Sequence, residues 1–110
     1  MNKYVHEKNN LSFDDVCELV SVVYTEDEIG QQIPEYSVRK SFCTRQPLTR
    51  QEFYLARQSK IRAEVLLCMD AEEYLGETIL RYGGKEYTIY KTYQRADGAV
   101  ELYCAERIGQ

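Results

Sequence analysis

The run Glu77-Thr-Ile-Leu-Arg-Tyr82, Gly83-Gly84, Lys85-Glu-Tyr-Thr-Ile-Tyr-Lys-Thr-Tyr-Gln-Arg95, Ala96-Asp97-Gly98, Ala99-Val-Glu-Leu-Tyr-Cys-Ala-Glu-Arg107 decides the fold. Tyr, Ile, Thr, Val and Leu dominate its three longer pieces, and such side chains suit a pleated, half-buried surface. Gly83-Gly84 supplies the positive φ angles of a two-residue hairpin turn, and Asp97-Gly98 serves the next turn in the same way. An antiparallel meander is therefore predicted for the C-terminal third. It carries no catalytic grouping, which points to a small β domain that works by contact.

Working outward, Ile61 to Asp70 reads as a strand whose unbroken apolar run, Val65-Leu66-Leu67-Cys68-Met69, predicts burial on both faces. Before it, Leu48-Thr-Arg-Gln-Glu-Phe53 is a helix start. Thr49 and Glu52 are spaced as a capping box, and Leu48 and Phe53 as the hydrophobic staple around it. The helix is expected from Arg50 to about Ser59, with a thin apolar stripe of Phe53, Ala56, Tyr54 and Leu55. Glu35 to Arg45 is a second strand with Val38, Phe42 and Cys43 inward, and Val16 to Tyr24 is the first. Between those two, the acidic stretch 25–33, closed by Pro34, reads as a long mobile connection. Residues 71–76 form an acidic connection, and residues 1–12 a loose polar arm. The expected fold is mainly β: a small antiparallel β-barrel or curled sheet of about six strands, with one short helix between the second and third. One domain over 13–110 follows the arm.

With 110 residues the chain can build one modest core. It has no apolar run of about 18 residues that would span a membrane, and no secretory signal is expected, so synthesis in the cytoplasm follows. Cys17, Cys43, Cys68 and Cys104 are widely spaced without a Cys-x-x-Cys pair, which argues against a zinc site. Inside strands they are expected to be small buried hydrophobes. His6, the only histidine, is expected to be exposed and without a partner for catalysis. No phosphate-binding loop is present. The acidic clusters Glu26-Asp27-Glu28 and Glu72, Glu73, Glu77 could hold a cation, but read more simply as solvated loops. No enzyme, metal or cofactor is expected.

Charge is partitioned. Residues 1–38 carry two bases and eight acids; residues 63–110 carry five bases and nine acids. Between them, residues 39–62 hold Arg39, Lys40, Arg45, Arg50, Arg57, Lys60 and Arg62 against Glu52 alone. This basic segment and the acidic Glu26, Asp27 and Glu28 are the candidate interface residues. A basic surface on one copy meeting an acidic one on the next makes a heterologous contact that can close a ring. A local contact of the basic segment with a nucleic-acid backbone is the other reading.

The segments Tyr24 to Ile33, Glu52-Phe-Tyr-Leu-Ala56, Tyr82-Gly-Gly-Lys-Glu-Tyr-Thr-Ile-Tyr-Lys91 and Glu101-Leu-Tyr-Cys104, in that order, resemble the bacteriophage head–tail joining family, also called head-closure, stopper or head–tail adaptor proteins. The resemblance spans roughly residues 13–107. It implies a non-enzymatic virion-assembly protein that is monomeric alone and forms a ring, twelve-fold on the connector, at the neck of the particle. Such a ring docks on the connector below the portal, helps retain packaged DNA without reading its sequence, and presents a surface to tail-completion proteins. Assembly would take place in the host bacterial cytoplasm. The competing expectation is a single-strand-binding barrel of the oligonucleotide-binding kind, which needs a basic groove with exposed aromatics.

Overall fold

The computed structural model describes residues 11–107. The arm expected over 1–12 and His6 therefore lie almost wholly outside the described residues. Six strands form one antiparallel sheet that closes on itself: β1 (Asp15–Glu26), β2 (Gln32–Gln46), β3 (Ala63–Asp70), β4 (Ile79–Tyr82), β5 (Lys85–Gln94) and β6 (Ala99–Glu106). Their order around the barrel is β1-β2-β3-β6-β5-β4, and β4 closes the ring onto β1. Helix α1 (Arg50–Gln58) lies between β2 and β3. The expected mainly-β barrel with one helix in that position is what the chain forms.

Both C-terminal turns form as expected, with Gly83 at φ 60°, Gly84 at φ 80° and Gly98 at φ 93°. Strand β3 is buried on both faces from Val65 to Met69. Leu67, Met69, Leu80 and Leu102 fill the interior together with Cys17, Cys43 and Cys104. All four cysteines are free and buried. Burial raises the Cys68 thiol to about 11 and the Cys104 thiol to about 12, so both stay protonated and behave as small apolar groups.

Three expectations are corrected. The first concerns 25–33, which is mostly strand rather than a long mobile connection. β1 and β2 pair without interruption from Asp15↔Cys43 to Glu26↔Gln32, leaving only the turn 27–31. Asp27 builds that turn: its carboxylate accepts from the amides of Ile29 at 3.0 Å and Gln31 at 2.8 Å, and Gly30 takes φ 85°. Pro34 does not break β2, because no further strand lies along that part of it to need its missing amide.

The second correction is to the phase of β2. Val38 and Phe42 face outward, at 46% and 66% exposure, while Ser41 and Cys43 face the core. Side chains alternate strictly along a strand, so Phe42 and Cys43 cannot both point inward. A six-stranded barrel is narrow. Small residues are accommodated where Cys17 lies opposite Ser41, and the bulky Phe42 is turned out.

The third concerns the helix. Thr49 caps it, accepting from the Glu52 amide at 3.1 Å. The second half of the capping box does not form, because the Glu52 carboxylate turns to the barrel. There it accepts from Tyr90 Oη at 2.7 Å and Lys91 Nζ at 2.6 Å. Burial alone would raise the Glu52 pKa, but its bonds to Lys91 and Tyr90 outweigh that and hold it below the usual carboxylate range. The helix thus docks through Glu52 and Ala56, and Phe53, Tyr54 and Leu55 are left exposed.

Candidate interaction surfaces

The hairpin β1–β2 is longer than the barrel that carries it. β4 covers β1 only at Glu18–Val20, and β3 covers β2 only at Thr44–Gln46. Residues 21–37 therefore project as a two-stranded ribbon. Direct cross-strand partners share a face, so one side of the ribbon carries Val22 with Tyr36 and Tyr24 with Pro34, continuous with Val20 and Val38 at its base. Tyr24 and Tyr36 are 63% and 62% exposed, and Ile29 at the tip is 77% exposed. Where the ribbon leaves the barrel, Arg39 reaches across the opening. It donates to the Glu73 carbonyl at 2.6 Å and to the Glu77 carboxylate at 2.8 Å. Glu77 also accepts from the Leu75 amide at 3.1 Å. Burial opposes the charge on Glu77, yet Arg39 and the backbone amides hold its carboxyl below the usual range.

Alternation of strand direction sorts the connections to two ends of the molecule, whose longest dimension is 53 Å. The 27–31 turn, the 71–78 connection and the 95–98 turn share one end. The 47–62 connection with α1 and the Gly83-Gly84 turn share the other. The ribbon between 21 and 38 holds Glu26, Asp27, Glu28 and Glu35 and no base. The connection beside it adds Glu72, Glu73 and Glu77. At the opposite end lie Arg45, Arg50, Arg57, Lys60 and Arg62, none of which makes an ion pair among the described residues. The ribbon end is acidic, whereas at the helix end these bases share the strand ends with Asp14, Asp15, Glu64, Glu86 and Glu106.

The candidate residues are therefore not equivalent. Arg57, Lys60 and Arg62 gather with Ile61 around a shallow hollow, and Glu26, Asp27 and Glu28 gather with Ile29 at the ribbon tip. Arg45 and Arg50 lie at the same end as the hollow. Arg39 lies toward the acidic end with its charge paired internally, and Lys40 sits on the outer wall opposite Glu18. Asp27 is committed to its turn. The sequence reading missed the apolar ribbon, although its signal was there. Val20-x-Val22-x-Tyr24 and Pro34-x-Tyr36-x-Val38 alternate as mirror images about Asp27-x-x-Gly30.

Lys60 has a backbone peculiarity. It is the one described non-glycine residue at positive φ, 61°. The Lys60 amide donates to the Arg57 carbonyl at 2.9 Å and the Ile61 amide to the Ala56 carbonyl at 2.8 Å. This is the Schellman ending of a helix, in which glycine usually occupies the left-handed position. A lysine there carries strain, and such strain concentrates where a side chain is used.

Among the described residues no group of three His, Cys, Asp or Glu side chains is placed to hold a metal ion. No family model matches the chain, and no curated protein is similar enough to count as a match. Among solved structures, the solution structure of protein SF1141 from Shigella flexneri 2a, a structural genomics target, superposes with a TM-score of 0.76. The match covers 93% of this chain and 99% of that one at 13% identity, a likeness that shows the fold alone.

Proposed function

We propose that this protein is a structural component of a tailed phage or prophage, a head-closure protein that forms a ring at the neck between head and tail. The observation that carries this reading is the projecting ribbon. Its face joins the exposed Tyr24, Tyr36 and Val38 to the half-buried Val22, and contiguous exposed apolar faces mark sites of contact. The resemblance noted for residues 13–107 says what kind of contact. The ring docks on the connector under the portal, helps retain the packaged DNA, and offers the tail its attachment surface. Acidic groups toward the channel would keep DNA phosphates from adhering.

The test is co-expression of the tagged protein with the neighbouring portal and connector proteins, followed by pull-down and electron microscopy. Rings stacked below the portal are the expected result, and reversal of Arg45, Arg50 and Arg57 to Glu should abolish incorporation. No association at any salt concentration would overturn the neck reading. Salt-sensitive binding of short single strands would then favour the oligonucleotide-binding alternative.

A further inference from the structure

We propose that the ribbon tip of one copy seats in the hollow at the helix end of a second copy, Glu26, Ile29 and Glu28 meeting Arg57, Ile61 and Arg62, with Lys60 closing the contact. The proposal rests on the reading of this protein as a self-assembling contact protein and names the surface that does the assembling.

Three features of one chain fit together here. Charge is the first: the ribbon has acids and no base, and the helix end has five bases between 45 and 62, where the one acid, Glu52, is bonded to Lys91 and Glu64 follows Arg62. Apolar surface is the second. Each end is exposed beyond what its own fold needs, with Ile29, Tyr24 and Tyr36 at one and Phe53, Tyr54 and Leu55 at the other. Desolvating these together gives the contact its attraction, while the charges fix its direction and oppose tip-to-tip and hollow-to-hollow pairing. Lys60 is the third. A glycine would relieve the helix ending, yet the chain keeps a cation at the rim of the hollow. Because the two surfaces differ and lie at opposite ends, each copy can use both at once. The contact is therefore heterologous, and it propagates around a ring or along a chain rather than stopping at a pair.

A mixing experiment tests this on the purified full chain. One variant loses the tip (Glu26→Gln, Glu28→Gln, Ile29→Ser), the other the hollow (Arg57→Gln, Lys60→Gly, Arg62→Gln). All six positions are exposed, and circular dichroism confirms that each variant is folded. At low salt and rising concentration, sedimentation should show the wild type forming species larger than a dimer and each variant alone remaining monomeric. The two variants mixed should form a one-to-one pair and nothing larger, and the pair should dissociate as salt rises from about 50 mM to about 0.5 M. Nuclear magnetic resonance shifts should move at 24–36 in the hollow variant and at 53–62 in the tip variant.

Lys60→Gly alone supplies an independent readout. It should raise the melting temperature, by relieving the left-handed backbone, while weakening association up to about fivefold, the most an exposed pair contributes. A mixture that stays monomeric overturns the proposal, as does pairing that either variant achieves alone. Neither result bears on the portal pull-down, so this contact and the neck assignment fail separately.

Discussion

Leu67→Ala is expected to cost about 3–4 kcal/mol, enough to leave a domain of this size near the edge of folding. Leu67 lies in the middle of β3, fully buried, opposite Arg45 on one side and Leu102 on the other. Its side chain points into the narrow interior shared with Met69, Leu80 and Leu102. A sheet closed by hydrogen bonds all the way around cannot shift one strand to fill the void without breaking its register, so the cavity persists. Urea unfolding with an unchanged slope and a lower midpoint would show it. Phe42→Ser supplies the contrast. Although it removes a larger side chain, it should change stability by less than about 0.5 kcal/mol, because Phe42 is on the outer wall. A large loss at Phe42 with a small one at Leu67 would mean that the phase of β2 and the position of the core are both misassigned.

That contrast also marks what can be read from a string of residues. The C-terminal meander was legible because its turns demand glycine at positive φ and its strands are bounded by those turns. Strand β3 was legible because five successive apolar residues leave no polar face. The phase of β2 was not. Val38, Phe42 and Cys43 are all apolar, and choosing between two alternations requires the interior diameter, which depends on how many strands close the ring. The ribbon was hidden by its own chemistry. Asp27 and Gly30 make a tight turn, but three consecutive acids and Pro34 resemble solvated connection, and only the absence of a third strand explains why both are tolerated in a ladder. The distribution of charge was half legible. Basic and acidic segments were visible along the chain, whereas the gathering of 26–28 and 72–77 at one end follows from strand direction. From the sequence Glu52 reads as a cap for its own helix, since nothing local reveals that Tyr90 and Lys91 lie within reach.

Arg39 and Glu77 show how the same topology ties the ribbon to the barrel, and they give the second large effect. The ribbon can stand away from the barrel only if its root is fixed, and this pair fixes it: Arg39 on β2 bonds Glu77 just before β4 and Glu73 beyond β3. Glu77→Gln should lower stability by about 2 kcal/mol at neutral pH, the low end for a buried charged bond because Arg39 keeps one-third of its exposure. The pH dependence has a definite sign. The Glu77 and Glu52 carboxyls are held below their ordinary value when folded. Protonation therefore favours the unfolded chain: their stabilisation is fully present above the unfolded carboxylate pKa of about 4.3, and is lost as pH falls through the lower folded values. Wild-type stability should stay level from neutral pH to about 4.5 and fall below it. The Glu77→Gln variant should start lower and fall less steeply, so the two curves converge in acid. Curves that remain parallel down to about pH 3 would show that the Arg39–Glu77 bond contributes nothing to anchoring the ribbon.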